Sequence, residues 1–194
     1  DSSAASDVYK RQVNKSVSVG ADFPVQKTAA ELLSKVERAV LDGFKRIKIK
    51  FNPQSNVATI AEIKSKYPDI LIHIDCNSGF SLDDIELFTE LDELGLAMIE
   101  QPLAYDDLIF HAELQSKLNT PICLDESITS VDRARKAMDI DACRYINIKT
   151  SRVGGLTNAI EIHDLCQDSG IPVWVGGMLE SAVGQSFSLA LATM

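Results

Sequence analysis

The chain has no apolar stretch long enough to cross a membrane as a helix and no signal-peptide pattern, so it reads as a globular protein of the cytoplasm. Also missing is any CxxC spacing. Cys76, Cys123, Cys143 and Cys166 fall singly inside predicted strands and helices, which makes them reduced packing residues rather than disulfides or a zinc site. Positive charge is in short supply: 19 Lys and Arg stand against 28 Asp and Glu, a formal net charge of −9. Nucleic acid and anionic membranes both demand basic surface, so neither is an expected partner.

What the chain does have is a period. Lys50, Asp75, Glu100, Asp125 and Lys149 each end a short apolar run, at intervals of 25, 25, 25 and 24 residues. A strand, a helix and two loops fill about 25 residues, so the repeat is a series of βα units. Counting back by two from each terminal charge places Lys48, His73, Met98, Cys123 and Asn147 on one face of the strands. The other face reads Ile47, Ile49, Ile72, Ile74, Ile99, Leu124, Ile146 and Ile148. One unbroken aliphatic face suits parallel strands covered by helices. An open doubly wound sheet would need two such faces, so the mixed second face favours a barrel whose interior holds polar groups.

The first twelve residues, DSSAASDVYKRQ, show no apolar period, and their second half resembles a translated library adaptor. Residues 1–12 are therefore set aside as a non-native leader, and the fold is sought in residues 13–194. A first strand is predicted over Ser16 to Ala21. A helix follows from Thr28, where Thr28 and Glu31 fit a capping box and Gly43 provides the stop. Further strands are predicted at 46–50, 70–76, 97–101, 121–126, 144–150 and 172–176, with helices near 56–66, 81–94, 107–118, 130–138, 155–168 and from about 181. This makes seven units of a (β/α)8 TIM-type barrel, a truncated form one unit short of eight. An unclosed barrel of this kind is expected to be prone to aggregation.

Asp75, Glu100 and Asp125 end three consecutive strands, so their carboxylates should converge at one mouth of the barrel. Three clustered carboxylates repel unless a cation holds them, and an all-oxygen set suits Mg²⁺, with Mn²⁺ as a substitute. Strands 2 and 6 of an eight-stranded barrel lie opposite each other, which puts Lys50 and Lys149 on two sides of a substrate held there. Lys48 lies two residues behind Lys50 on the same face, and like-charge repulsion would favour Lys50 as a base. A metal beside a lysine base is one arrangement for abstracting a proton next to a carboxylate. A lysine on strand 6 also admits a Schiff-base aldolase, which would leave the three carboxylates without a purpose.

Lys48-Ile49-Lys50, Asp75-Cys76-Asn77, Ile99-Glu100-Gln101-Pro102, Leu124-Asp125-Glu126-Ser127, Asn147-Ile148-Lys149 and Gly176-Gly177-Met178-Leu179-Glu180 together resemble the muconate-lactonizing-enzyme subgroup of the enolase superfamily. Within it the chain is most similar to o-succinylbenzoate synthases and N-acylamino acid (N-succinylamino acid) racemases, from about Lys15 to Met194. The resemblance implies Mg²⁺ ligands at Asp75, Glu100 and Asp125, and an acid/base pair at Lys50 and Lys149. Lys48 and Asn77 become supporting residues, and the Gly176-Gly177-Met178 turn lines the substrate pocket. It further implies a small carboxylate substrate, a dehydration that serves menaquinone biosynthesis or a racemisation, and a homo-oligomer at full length. The family also carries an α+β capping domain before the barrel and an eighth barrel unit. Neither is recognisable in this sequence, so the chain alone is expected to be an inactive fragment.

Other residues have plainer readings. His73, inward-facing beneath Asp75, reads first as a satisfied core histidine and second as a support for the acids above it, and His111 and His163 read as packing or surface residues of helices. Asp106 and Asp107 read as a helix cap. Glu126 is expected to point away from the metal face and to pair with a lysine. Gly154 and Gly155 fit a tight turn or an anion site at a helix start.

Overall fold

The computed structural model describes residues 2–194. Seven strands, β1 (Ala21–Phe23), β2 (Arg46–Lys50), β3 (Leu71–Asp75), β4 (Met98–Glu100), β5 (Ile122–Leu124), β6 (Tyr145–Ile148) and β7 (Val173–Val175), pair in sequence order. Every pairing is parallel. Helices α2 (Ala29–Leu41), α3 (Val57–Lys66), α4 (Ile85–Asp92), α5 (Leu108–Lys117), α6 (Val131–Asp139) and α7 (Leu156–Asp168) join successive strands, and α8 (Ala182–Ala192) follows β7. The result is a curled (β/α) half-barrel with β1 and β7 as its two open edges.

The two faces sort as the alternation requires. The aliphatic set from Ile47 to Ile148 is wholly buried under the helices. On the inner face Lys48, His73, Met98, Cys123 and Asn147 are buried as well. All four cysteines are free and buried, and burial pushes the thiols of Cys76, Cys123, Cys143 and Cys166 up.

Three expectations are corrected. The first strand is β1 at Ala21–Phe23, not Ser16–Ala21. Its partner β2 begins at Arg46, and Ala21 already pairs with Ile47, so Ser16–Val19 has no neighbouring strand to bond. The segment from Ser81 opens as a 3₁₀ turn at Leu82–Asp84 before α4, with Ser81 and Asp84 forming the capping box. At the start of α2 the Thr28 side chain accepts the Glu31 N–H at 3.2 Å, but the Glu31 carboxylate takes the Lys27 N–H instead of closing the box.

The stretch set aside as a leader is helical from Ser2 to Arg11, forming α1; residue 1 lies outside the described residues. Ala4 and Val8, one turn apart, are buried, α1 lies against α7 and α8, and Arg11 pairs with Asp164 at 2.5 Å. Two buried apolar residues one turn apart suffice for this short helix to dock.

Candidate active site

Lys50, Asp75 and Glu100 are the last residues of β2, β3 and β4 and lie in one register. Glu100 pairs with Cys123, so Asp125 stands two residues further along its strand direction. Equal spacing in sequence therefore gives a slanted rim, the stagger that curling a parallel sheet imposes. Lys149 follows β6 directly, and Lys50 and Lys149 bracket the carboxylate arc from its two ends.

The three carboxylates are almost wholly buried, and each is turned toward a cation. Lys48 Nζ lies 2.6 Å from Asp75 Oδ2 and 3.0 Å from Glu100 Oε2. Lys50 Nζ lies 2.6 Å from the same Asp75 oxygen. Lys149 Nζ donates to Asp125 Oδ2 at 2.7 Å, and the Arg152 guanidinium takes Asp125 Oδ1. Among the described residues no three His, Cys, Asp or Glu side chains are gathered to hold a metal ion. The strand ends converge as expected, and each carboxylate faces the nearest positive charges, since buried anions do not stay unpaired.

Opposing effects act on the groups of this rim. Burial pushes the Glu100 carboxyl up, but His73 and Lys48 outweigh it and hold the group low. Asp125 is pushed up to about 6, by burial first and then by the charge of Glu100, which together outweigh Lys149. Burial opposes the charge on Lys48, yet Glu100 and Asp75 overcome it and raise its pKa. Lys48 is thus a counter-ion of two carboxylates, not chiefly a charge repelling Lys50. Glu100 Oε2 faces Lys48 Nζ at 3.0 Å and His73 Nε2 at 3.6 Å. An all-oxygen donor set carried by three adjacent strands is of the type that suits a hard divalent cation.

Polar neighbours hold this rim. Asn147 Nδ2 donates to Glu100 Oε1 at 3.0 Å. Gln101 Oε1 accepts the N–H groups of Asp125 and Ser127 at 3.0 and 3.1 Å, while its Nε2 donates to Ser127 Oγ at 2.8 Å. The Gly176-Gly177-Met178 turn sits alongside: Gly176 abuts Asn147, Met178 Sδ lies 3.7 Å from Arg152 Nη2, and Met178 N–H donates to Glu180 Oε2 at 2.6 Å. Gln101, Arg152 and Trp174 also border the site, outside the strand-end period. Gln101 neighbours Glu100 in the Ile99–Pro102 motif, which is a usable signal. Arg152 lies in a turn where no periodicity points.

Several single-residue expectations change. His73 is fully buried, but among the described residues neither ring nitrogen has a hydrogen-bond partner. Its Nε2 lies 3.6 Å from Glu100 Oε2, and its ring meets Trp174 edge-on at 5.7 Å, so it is not the satisfied core histidine expected. His111 is the satisfied one: Nδ1–H faces the Asp107 carbonyl and Nε2 accepts the Leu103 N–H at 3.2 Å. Asp107 caps α5 through the Phe110 N–H. Glu126 does not turn away or find a lysine; its Oε1 accepts from Asn77 Nδ2 at 2.8 Å. Gly154 and Gly155, at φ +88° and +117°, form the turn into α7, a conformation that favours glycine.

The chain is 52% identical over 180 residues to the o-succinylbenzoate synthase of Geobacillus stearothermophilus, covering 93% of this chain and 48% of that protein. It is 43% identical to the N-succinylamino acid racemase of Thermus thermophilus, over 94% of this chain and 49% of the relative. A crystal structure of an enolase-superfamily member from Listeria innocua superposes with a TM-score of 0.91 at 38% identity, over 95% of this chain and 50% of that one. The chain spans about half the length of the curated relatives it matches. With a parallel half-barrel carrying acids and lysines at its strand ends, and residues 31–194 matching the family described as enolase C-terminal domain-like, the chain belongs to the enolase superfamily.

Proposed function

We propose that this chain supplies the barrel portion of a Mg²⁺-dependent cytoplasmic enzyme that removes a proton α to a carboxylate. The observation that carries the reading is the placement of Lys50 and Lys149 at the two ends of one arc of buried carboxylates. Asp75, Glu100 and Asp125 would hold the cation, Mn²⁺ being an acceptable substitute. When bound, it would lend positive charge to the substrate carboxylate as the neighbouring carbon gives up its proton. One lysine takes that proton on its own face of the substrate, and the opposite lysine serves the other face. Lys48 keeps the carboxylate arc balanced, Asn77 orients Lys50, and the Gly176–Met178 turn borders the substrate.

The preferred reaction is that of o-succinylbenzoate synthase: proton removal from 2-succinyl-6-hydroxy-2,4-cyclohexadiene-1-carboxylate, then loss of the β-hydroxyl as water to give the aromatic product. It is supported by the 52% identity to a relative of that name. Racemisation of N-succinylamino acids is the second reading, because two lysines on opposite faces suit return of the proton to either side, and a racemase is 43% identical. We further propose that the full-length protein is a homo-oligomer acting on small carboxylates.

The test is α-proton exchange in D₂O by the full-length enzyme carrying this chain. Lys50→Ala and Lys149→Ala should each stop racemisation, while one variant still exchanges the α-proton of a single enantiomer. Equal exchange of both enantiomers by both variants would place the lysines on one side. Full turnover after EDTA treatment would remove the metal from the scheme, and borohydride trapping of Lys149 with a carbonyl substrate would favour the aldolase instead.

A further inference from the structure

We infer that Glu126 is a positioning residue that acts through Asn77 to aim the ammonium of Lys50. Lys50 Nζ donates to Asn77 Oδ1 at 2.6 Å, and Asn77 Nδ2 donates to Glu126 Oε1 at 2.8 Å. A charged lysine can only donate and a carboxylate can only accept, so just one orientation of the amide between them satisfies both. Glu126 therefore locks the Asn77 oxygen toward Lys50. Without it the amide is free to turn its NH₂ toward the ammonium.

The rest of the turn leaves the amide as the only adjustable part. Asn77 sits at φ +45° and Ser78 at φ +60°, a left-handed pair in which asparagine is among the more tolerant non-glycine residues. The Asn77 N–H donates to Asp75 Oδ1 at 3.0 Å, and the Ser78 N–H donates to the Gln101 carbonyl at 2.9 Å. The backbone is thus tied to β3 and to the end of β4. Lys50 Nζ is tied to Asp75 and to Asn77, which leaves one direction of its tetrahedral nitrogen for a substrate.

Packing alone does not account for Glu126. Its second oxygen, Oε2, is buried with no hydrogen-bond partner among the described residues, an arrangement that costs stability. An apolar residue after Asp125 would avoid that cost but could not hold the amide.

The inference rests on Lys50 being one of the two proton-transfer groups proposed above. Its test is face-resolved exchange of each N-succinylamino acid enantiomer in D₂O by the full-length enzyme, with Lys50→Ala identifying the enantiomer that depends on Lys50. Glu126→Ala should slow that exchange about 10²-fold, the scale of a 1 Å misplacement, and leave the Lys149-dependent enantiomer within about twofold. Asn77→Asp sets two carboxylates face to face and should show the same selective loss. The double variant Asn77→Asp/Glu126→Gln reverses donor and acceptor while still offering Lys50 an oxygen, so it should recover most of the rate. Equal slowing of both enantiomers, no slowing, or no recovery in the double variant would overturn the inference. A crystal structure of Glu126→Ala gives a second readout independent of turnover: Lys50 Nζ still on Asn77 Oδ1 would defeat the idea. If the unmodified enzyme exchanges neither enantiomer, it is the racemase reading that falls, and the crystal structure still decides the positioning role.

Discussion

Gly176 lies so close to the side-chain amide of Asn147 that a Cβ at position 176 would come within 2.7 Å of Asn147 Nδ2 and 2.9 Å of Cγ. That amide donates to Glu100 Oε1, so the glycine after β7 controls how a carboxylate on β4 is held. Gly176→Ala should push Asn147 off Glu100 and cost about 1–3 kcal/mol, the usual range for overpacking. Thermal melts would show the loss, and weaker divalent-metal binding by titration calorimetry would show its effect on Glu100. A variant with unchanged melting and metal affinity would mean that Asn147 relaxes without consequence.

Gln101 carries a second prediction. Its side chain satisfies two backbone N–H groups and one hydroxyl in the loop after β5, all fully buried. Gln101→Leu keeps the bulk but leaves the Asp125 and Ser127 N–H groups without acceptors, at about 1–3 kcal/mol for each unsatisfied group. Urea unfolding should show a lower midpoint with an unchanged slope. A stability equal to the parent would show that the loop finds other acceptors.

The contrast between these two residues and the lysines explains what could be read in advance. The rim at Lys50, Asp75, Glu100, Asp125 and Lys149 announced itself because period and alternation are properties of the backbone, and the structure keeps both. The role of Gly176 depends on an approach between β6 and β7, and that of Glu126 on an amide from the loop after β3. Such contacts follow from how strands stagger, which spacing along the chain does not encode. Likewise, β1 starts at Ala21 because β2 starts at Arg46, a constraint that lies outside the β1 sequence itself. In α1 two small apolar residues were enough for docking, too few to register as a pattern.

Asp92 supplies a pH dependence away from the rim. Burial pushes its carboxyl up, but the Thr120 side chain, the N–H groups of Asn119 and Thr120 and the Asn119 amide outweigh that and hold its pKa below the ordinary value. A folded-state pKa below the unfolded one means that the contribution is complete above the unfolded pKa, about 4, and is lost as pH falls through the folded value. Asp92→Asn should therefore be less stable than the parent at pH 7, with the difference shrinking as the pH drops below about 4. Urea midpoints for both proteins across this range provide the measurement. A difference that stays constant down to the lowest pH would assign the effect to lost shape and not to charge.

The final prediction uses Trp174, the chain's single tryptophan. It stands on β7 at one open edge of the sheet, half-buried, with Nε1 donating to Cys123 Sγ at 3.3 Å and with Arg46 and Lys48 over its ring at 4.8 and 5.2 Å. Between β7 and β1 lies a cavity of about 370 Å³ bordered by Trp174, Asp22, Arg46 and Lys48. Strand edges of this kind present unpaired N–H and C=O groups, and they invite pairing with other chains. In dilute solution the 194-residue chain should show Trp174 emission that acrylamide quenches readily. At higher concentration self-association should cover the edge, shift the emission to shorter wavelength and reduce quenching in step with light scattering. A monomer at all concentrations, with Trp174 shielded throughout, would show that the chain closes this edge by itself.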